Sequence, residues 1–253
     1  MSQPGERFAL TDRVALVTGG SRGLGREIAL AFADAGADVI IASRKIDACR
    51  SVAQEVEDRT GRQAFAYACN VSRWGELDGL VDAAYQRFGR VDILVNNAGL
   101  SPLYDQPADI TEELWDKVQA INLKGPFRLT ALIGARMVAD GGGSVINVST
   151  GGSIRPRPNI LPYAAAKAGL NALTVGFAHT FGPTVRVNGI LPGPFLTDIS
   201  KAWDMEKVDR RQKEYALERA GNPPEIIGAA LYFASDASSF TTGALLQVDG
   251  GMP

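Results

Sequence analysis

The chain is poor in the residues that build metal centres and disulfide frameworks. Its 253 residues include one histidine and two cysteines, and Cys49 and Cys69 form no C-x-x-C pair and no cluster with the histidine. Structural zinc sites and disulfide scaffolds need thiol or imidazole groups at short, repeated spacings. The sequence therefore predicts no metal site and no disulfide, and it assigns both cysteines to packing.

Long apolar runs and an excess of charge of one sign are also missing. No segment approaches the roughly eighteen consecutive apolar residues that cross a bilayer, and residues 1–6 lack the apolar core of a signal peptide. A formal net charge of −2 provides no broad basic field for a nucleic-acid backbone. These absences predict a cytoplasmic protein without membrane or nucleic-acid partners.

The composition that remains is that of an α/β domain. With 45% hydrophobic and 21% charged residues, the chain can bury one large core, and no linker or internal repeat divides it. We therefore expect a single domain over residues 1–253, with an N-terminal extension over residues 1–12.

Short apolar runs alternate with segments of helical spacing along the whole chain. The predicted strands are residues 14–17, 39–42, 64–68, 91–95, 144–148, 185–191 and 245–248. The predicted helices are residues 27–35, 48–60, 76–88, 112–138, 164–181 and 224–235, the fourth of them disturbed by Gly125-Pro126. This alternation predicts a doubly wound parallel sheet of about seven strands with helices on both faces. Ligands bind such sheets at the carboxyl ends of the strands.

The first predicted strand leads into the glycine-rich turn T-G-G-S-R-G-L-G. At Gly19, Gly23 and Gly25 no side chain would keep a ligand from the backbone, and the next helix directs its free N–H groups toward the turn. The spacing differs from G-x-G-x-x-G, and no G-K-[ST] follows. The turn predicts a phosphate site, with a plain tight turn as the alternative.

The residues after the second strand bear on which dinucleotide binds. A site for NAD generally has a carboxylate there for the ribose 2′-hydroxyl, whereas a 2′-phosphate needs a cation. This chain has Ser43-Arg44-Lys45, and Arg22 lies in the glycine turn. NADP(H) is therefore favoured over NAD(H). In the alternative interpretation, Arg44 and Lys45 form a solvated helix entrance.

A tyrosine and a lysine four residues apart follow the fifth strand. Tyr163 and Lys167 stand in Y-A-A-A-K, after a loop that carries the hydroxyls of Ser149, Thr150 and Ser153. A phenol with a pKa of about 10 exchanges protons poorly at pH 7, but a neighbouring ammonium favours the phenolate. The spacing predicts that Lys167 lowers the pKa of Tyr163 and that Tyr163 gives or takes a proton.

Five motifs in order resemble those of the short-chain dehydrogenase/reductase family. They are the glycine turn, N-N-A-G from residue 96, Y-A-A-A-K from 163, V-R-V-N-G-I-L-P-G from 185 and T-T-G-A-L-L-Q-V-D-G-G from 241, spanning about residues 13–251. The resemblance implies a Rossmann-type sheet and hydride transfer between a nicotinamide cofactor and a carbonyl or secondary alcohol. It also implies a homotetramer, and it leans toward the 3-oxoacyl reductase and sugar dehydrogenase branches.

The resemblance implies a role for each catalytic candidate. Tyr163 would be the acid–base residue, Lys167 would hold the nicotinamide ribose, and Asn122 would support a proton-relay water. Where the family has a serine that polarises the substrate oxygen, this chain has Thr150. A threonine hydroxyl can donate the same hydrogen bond, and Ser153 is the next candidate.

The cofactor-binding set combines the glycine turn and the residues after the second strand, argued above, with residues that the resemblance implies after the third to sixth strands. Asn97 to Gly99 would line the adenosine ribose, and Phe195 and Thr197 would fix the nicotinamide carboxamide. Asn70-Val71 replaces the family's common Asp-Val beside the adenine, with a modest expected effect on affinity. The full set is Gly19, Ser21, Arg22, Gly23, Leu24, Gly25, Ser43, Arg44, Asn70, Val71, Asn97, Ala98, Gly99, Tyr163, Lys167, Pro192, Gly193, Phe195 and Thr197.

Substrate specificity is assigned to two segments, a loop over residues 150–162 and a lid over residues 198–219. Trp203 in the lid either closes over the substrate or packs, and Arg155 and Arg157 either contact an anionic substrate or are solvated. The leading hypothesis is an NADP(H)-dependent oxidoreductase, with a 3-oxoacyl thioester as a candidate substrate. The alternatives are an NAD(P)-dependent sugar or polyol dehydrogenase and a catalytically silent nucleotide-sensing protein of the same fold.

Overall fold

The computed structural model describes residues 4–197 and 212–253. A seven-stranded sheet runs through this part of the chain in the order β3-β2-β1-β4-β5-β6-β7, and every neighbouring pair is parallel. The strands are β1 (Val14–Thr18), β2 (Asp38–Ser43), β3 (Ala64–Ala68), β4 (Ile93–Asn96), β5 (Gly143–Val148), β6 (Val185–Pro192) and β7 (Leu245–Val248). The winding direction reverses between β1 and β4, which opens a crevice at their carboxyl ends.

The helices cover both faces of the sheet. They are α1 (Gly23–Asp34), α2 (Ile46–Thr60), α3 (Trp74–Phe88), α4 (Glu112–Gln119), α5 (Gly125–Ala139), α6 (Leu161–Phe181) and α7 (Ile227–Ala234). Side chains of α1, α2 and α7 form one buried cluster with alternate strand residues such as Val17, and those of α3, α5 and α6 form the other with residues such as Leu16. The central strands β1, β4 and β5 are buried and largely apolar, as expected for strands covered on both faces, and they include buried polar residues such as Thr18, Asn96 and Asn147.

The predicted doubly wound parallel sheet is confirmed, and the differences lie at element ends. Strand β4 begins two residues later than predicted, and just before it the Asp92 carboxylate accepts from the Val14 N–H at 2.9 Å. Helices α1, α2, α3 and α6 begin two to four residues earlier than predicted. The helix predicted over 224–235 is a 3-10 turn (Pro223–Ile226) followed by α7.

The helix predicted over residues 112–138 is interrupted as expected, although the chain stays helical. Between α4 and α5 lies a π-helical segment (Ala120–Lys124), and Pro126 occupies the first turn of α5, where a missing N–H is tolerated. A side chain at Gly125 would overlap the Val71 carbonyl, so this helix can pass close to the end of β3 only with glycine there. The wider turn places Asn122 in the crevice.

Part of the predicted lid lies outside the described residues. The structure describes residues 212–219 of the lid but not 198–211, which include Trp203. Among the helices of the described ranges, none combines the length and the apolar character needed to cross a bilayer.

Candidate active site

The glycine turn after β1 is held against the segment after β4. The Asn97 amide donates to the carbonyls of Thr18 at 2.9 Å and Gly19 at 3.3 Å. A Cβ at Gly25 would overlap both this amide and the Gly19 carbonyl, and one at Gly19 would lie 2.9 Å from the same nitrogen. A side chain at Gly19 or Gly25 would therefore collide with Asn97, and the expectation that these glycines also let a ligand approach the backbone stays a prediction.

The Thr18 hydroxyl makes the second link between these strand ends. It donates to the Val95 carbonyl at 3.1 Å and accepts from the N–H groups of Asn97 at 3.0 Å and Ala98 at 3.2 Å. The sequence analysis did not select Thr18, because a threonine at the end of a strand is common and its partners lie almost eighty residues away. The hydroxyl fixes the backbone from Asn97 to Gly99.

The start of α1 fits a phosphate group. Gly23 has a positive φ of 54°, and its N-cap neighbour Arg22 makes no side-chain hydrogen bond to the helix. No acidic side chain stands in the first turn of α1. The Arg22 side chain thus leaves the first-turn N–H groups of α1 to other acceptors, while Ser21 beside them is partly exposed and Leu24 packs against the core. Thr197 packs against the other side of Gly23 at 3.6 Å from an ideal Cβ position.

Three cationic side chains surround the end of β2. Arg22, Arg44 and Lys45 are all exposed, whereas the Ser43 hydroxyl is taken up by the buried Cys49 thiol at 3.0 Å. Asp38 lies at the opposite end of β2 and pairs with Arg62 at 2.9 Å. The carboxyl end of β2 therefore presents positive charge.

The segment after β3 offers one free polar group. The Asn70 side-chain oxygen accepts from the Ser72 N–H at 3.2 Å and the Ser72 hydroxyl at 2.9 Å. Val71 beside it is buried. Contact between Asn70 and an adenine ring would therefore use the amide NH2 group.

Tyr163 and Lys167 lie on α6 at the end of β5. Lys167 is 2% exposed, its ammonium nitrogen donates to the Val148 carbonyl at 2.7 Å, and it lies 5.9 Å from the centre of the Tyr163 ring. A Cβ at Gly99 would be 4.0 Å from this nitrogen and 3.2 Å from the Asn122 side-chain oxygen. The loop after β4 thus brings Asn122 and Lys167 to one place.

Asn122 is fully buried in the π-helical segment. Its amide donates to the carbonyls of Leu100 and Val118, both at 2.8 Å, and its oxygen accepts from the Leu100 N–H at 3.1 Å. The bond to Val118 lies within the helix, and those to Leu100 reach the loop after β4. Asn122 therefore joins the widened helix to the floor of the crevice.

Burial dominates the electrostatics of the pair. It lowers the pKa of Lys167 to about 7 and raises that of Tyr163 to about 12. The prediction that Lys167 lowers the pKa of Tyr163 is thus wrong for the protein without ligands. Among the described residues, the influence that opposes burial is a hydrogen bond with the neighbouring Thr150, which lowers the pKa of the phenol. Tyr163 is consequently a protonated acid at neutral pH.

The three hydroxyl groups after β5 differ in whether their protons are already used in hydrogen bonds. The Ser153 hydroxyl donates to the Thr150 carbonyl at 2.6 Å, and that of Ser149 lies 3.3 Å from the Lys167 carbonyl. The Thr150 hydroxyl accepts from the Gly152 N–H at 3.2 Å and keeps its own proton for another acceptor. Of the three, Thr150 is the one whose hydroxyl meets Tyr163.

The C-terminal residues pack against the loop after β5. No local sequence pattern predicts this contact. Arg155 donates to the Met252 carbonyl at 2.8 Å, and Arg157 contacts the Tyr215 hydroxyl at 3.2 Å and the Met252 sulfur at 3.5 Å. The Met252 methyl group lies 2.7 Å from an ideal Cβ position at Gly151, next to Thr150. Neither arginine is simply solvated.

A cavity of about 430 Å³ lies beside these contacts. Its walls come from the loop after β5, the described end of the predicted lid and the C-terminus. They consist of Arg157, Pro158, Asn159, Glu214, Tyr215, Met252 and Pro253. The loop over residues 150–162 and the described part of the predicted lid, to which the sequence analysis assigned substrate specificity, thus line one cavity together with Met252 and Pro253.

The segment after β6 completes the crevice. The Gly193 N–H donates to the Val248 carbonyl at 3.0 Å, which anchors the backbone after Pro192. The Phe195 ring is 6% exposed and packs on Gly221, and the Phe195 carbonyl accepts from the Thr197 N–H at 2.9 Å. Phe195 would therefore meet a ligand through its backbone.

Known proteins resemble this chain along nearly its full length. A family model described as enoyl-(acyl carrier protein) reductase matches residues 19–253. A short chain dehydrogenase/reductase of Aspergillus oryzae is 37% identical, over 98% of this chain and 97% of the relative. An NAD-dependent glycerol dehydrogenase of Listeria innocua is 34% identical, over 96% of this chain and 95% of the relative. A gluconate 5-dehydrogenase of Burkholderia cenocepacia, solved with NADP and tartrate, has a TM-score of 0.94 and 33% identity, over 99% of this chain and 98% of that one.

Proposed function

Because the chain belongs to the short-chain dehydrogenase/reductase family of oxidoreductases, which act on CH–OH groups, we propose that it interconverts a ketone and a secondary alcohol with NADP(H). The observation that carries the proposal is the protonated Tyr163 phenol beside the Thr150 hydroxyl, one helical turn from the buried Lys167. An acid and a hydrogen-bond donor that converge on one point suit a carbonyl oxygen.

Each residue of the site has one task in this mechanism. The nicotinamide cofactor, when bound, supplies or accepts the hydride. The Thr150 hydroxyl donates a hydrogen bond to the carbonyl oxygen, and Tyr163 gives that oxygen its proton. Lys167 holds the nicotinamide ribose, and Asn122 keeps the helix and the loop after β4 together beside it. A Tyr163 pKa of about 12 keeps the phenol protonated at neutral pH, so the proton that carbonyl reduction consumes is present on Tyr163.

Titrating NADPH and NADH separately, and then adding ketones and alcohols, tests this function. We expect tight NADPH binding followed by turnover of a ketone. Binding of NADPH without turnover of any panel member would favour a nucleotide-sensing protein. Binding of neither nucleotide would contradict the dinucleotide site itself.

The preference for NADP(H) is supported by the charge at the end of β2. Arg44 and Lys45 are exposed there, Arg22 is exposed in the glycine turn, and the three residues after the strand include no carboxylate. The relatives do not decide the question, because the glycerol dehydrogenase is NAD-dependent and the gluconate 5-dehydrogenase was solved with NADP.

Reversing the charge at Arg44 should reverse the preference. For Arg44→Asp we expect NADPH to bind about 10- to 100-fold more weakly, because a charge-assisted contact with the 2′-phosphate is lost, and NADH to bind at least as well. Fluorescence titration of both cofactors measures the ratio. Arg50→Asp is the matched control, since Arg50 is exposed on α2 and pairs with Asp47. An unchanged ratio for Arg44→Asp would mean that Arg44 does not read the phosphate.

Two substrate classes belong in the panel. A 3-oxoacyl thioester is the first candidate, from the family resemblance. A polyol or sugar acid is the second, because a glycerol dehydrogenase and a gluconate 5-dehydrogenase are among the similar proteins. The ratio of kcat/KM between 3-oxoacyl thioesters and keto forms of sugar acids distinguishes them.

Substitutions at Thr150 identify the polarising hydroxyl. Thr150→Val keeps the shape and removes the donor, so we expect kcat to fall about 100- to 1000-fold, whereas Thr150→Ser should retain most of it. Steady-state kinetics with saturating NADPH measures both. If Thr150→Val were nearly as active as the parent protein, the role would pass to Ser153.

We also propose a homotetramer in the cytoplasm, as the family resemblance and the composition suggest. Large apolar side chains on α3, α5, α6 and near β7 are available for subunit contacts. They include Trp74, Phe127, Val175, Phe240, Leu245 and Leu246, all of them exposed.

A further inference from the structure

A short chain of hydrogen bonds reaches Thr150 from a residue outside the proposed mechanism. The Asn171 amide nitrogen donates to the Ser153 hydroxyl at 2.8 Å, and this hydroxyl donates to the Thr150 carbonyl at 2.6 Å. Residues 163, 167 and 171 are spaced by four along α6, so Asn171 shares a face with Tyr163 and Lys167. All three side chains of that face thus point at the loop after β5.

The direction of these hydrogen bonds is set at Asn171. Ser153 has a single hydroxyl proton, and Ser153 donates it in a hydrogen bond to the Thr150 carbonyl. The amide NH2 of Asn171 can only donate, so it meets a lone pair of Ser153 and leaves that proton to Thr150. A second hydroxyl, that of Ser149, lies 3.4 Å from Ser153 and has an alternative acceptor in the Lys167 carbonyl.

The arrangement leaves one buried atom of Asn171 unsatisfied. Within the described residues the Asn171 side-chain oxygen has no hydrogen-bond partner, and water reaches it poorly because the residue is only 8% exposed. An orphaned buried acceptor is unfavourable.

The loop that carries Thr150 needs such a restraint. Thr150 is extended at φ −164° and ψ 151°, and the next two residues are the buried glycines Gly151 and Gly152. Consecutive glycines leave the backbone many conformations. The Thr150 carbonyl accepts from both the N–H, at 3.1 Å, and the hydroxyl of Ser153, and these bonds close the turn.

We infer that Asn171 is a positioning residue for the reaction: through Ser153 it fixes the turn at Thr150, so that the Thr150 hydroxyl faces Tyr163. The inference rests on the proposed function, in which Thr150 touches the substrate. Asn171 itself touches neither substrate nor cofactor.

Two substitutions at Asn171 test this role. Asn171→Leu removes the donor, and we expect kcat to fall about 10- to 100-fold while the NADPH dissociation constant stays within about twofold. In Asn171→Asp an ionised carboxylate competes for the Ser153 proton, whereas the protonated acid donates again. Because burial at this 8% exposed position raises the pKa of a carboxyl above its ordinary value of about 4, the ratio of kcat between Asn171→Asp and the parent protein should rise as the pH falls from about 8 to about 5.5.

Titrations that the new carboxylate leaves unchanged cancel in that ratio, whereas a carboxylate at position 171 would raise the pKa of the neighbouring Lys167 above its value of about 7. Tyr163 and Lys167 share the helix face with Asn171 and are present in both proteins. Thr174→Val is the matched control, because Thr174 is buried on the same helix and bonds to Leu170 and Asn147, and no hydrogen bond among the described residues links it to Ser153 or Thr150. We expect it to lower thermal stability and leave kcat unchanged.

Amide hydrogen exchange gives a readout that needs no activity. In Asn171→Leu, without ligands, the amides of residues 151–153 should exchange at least tenfold faster, while those in the middle of α6 do not change. Parent-like kcat, a pH-independent Asn171→Asp ratio or unchanged exchange at residues 151–153 would each overturn the inference. If the parent protein reduced no ketone, the proposed function would fail, and the exchange data alone would decide whether Asn171 fixes the turn.

Discussion

Tyr163→Phe should remove almost all turnover and leave cofactor binding nearly intact. The phenol is the acid that meets the carbonyl oxygen in the proposed mechanism, and loss of a positioned general acid lowers rates by about 100- to 10,000-fold. The phenylalanine ring fills the same space, so the fold and the surface that would bind the nicotinamide should stay unchanged. Steady-state kcat for ketone reduction and NADPH fluorescence titration measure the two effects separately.

A second tyrosine serves as the control for Tyr163→Phe. The Tyr232 hydroxyl bonds to the Thr241 hydroxyl at 2.8 Å and lies on α7, on the opposite face of the sheet from α6. Tyr232→Phe should lose a little stability and no activity. Unchanged turnover in Tyr163→Phe would contradict the assigned acid, and loss of NADPH binding in the same variant would assign Tyr163 to the cofactor instead.

The parts of the fold and site that depend on local pattern could be predicted from the sequence. Uniformly apolar runs between helical segments gave the parallel sheet, because a strand covered on both faces has no polar side. Residues 163 and 167 were placed on one helix face because four residues make about one turn. Four residues further along the same helix face lies Asn171. The spacing alone could therefore have predicted that Asn171 lies near Tyr163 and Lys167.

The parts that depend on distant contacts could not be predicted. Gly25 is required by Asn97, and Arg155 binds the Met252 carbonyl 97 residues further along the chain. Nothing in a local window specifies such partners. The pKa of Tyr163 was predicted in the wrong direction for a related reason. Spacing gives the distance between charges, whereas the cost of burial depends on every residue packed around them.

Lys167→Met should change the way in which stability depends on pH. Burial lowers the pKa of Lys167 from 10.5 to about 7 in the folded protein. Between these values the unfolded chain binds more protons than the folded one, so the Lys167 contribution raises the free energy of unfolding as the pH increases. The slope is at most about 1.4 kcal/mol per pH unit, or roughly 2–3 kcal/mol between pH 7 and 9. Methionine removes this contribution.

Other buried groups act with the opposite sign at higher pH. Burial raises the pKa of Cys69 from 9.0 to about 12 and that of Tyr163 to about 12, so the folded protein keeps protons that the unfolded chain releases. These groups make stability fall above about pH 9, which limits the useful window to pH 7–9. They are common to parent and variant, so they cancel in the difference between the two unfolding free energies.

Urea unfolding of the ligand-free parent and Lys167→Met at pH 7, 8 and 9 measures that difference. We expect it to shift in favour of the parent by about 2–3 kcal/mol across the window, on top of a constant loss of the bond to Val148. Lys117→Met, at an exposed position on α4, should give a difference that does not vary with pH. If the Lys167→Met difference were equally flat, Lys167 would be an ordinary ammonium in the folded protein. The hydrogen bond to the Val148 carbonyl would then hold a fully charged ammonium close to the phenol. That ammonium would lower the pKa of Tyr163, as the spacing of the two residues predicted.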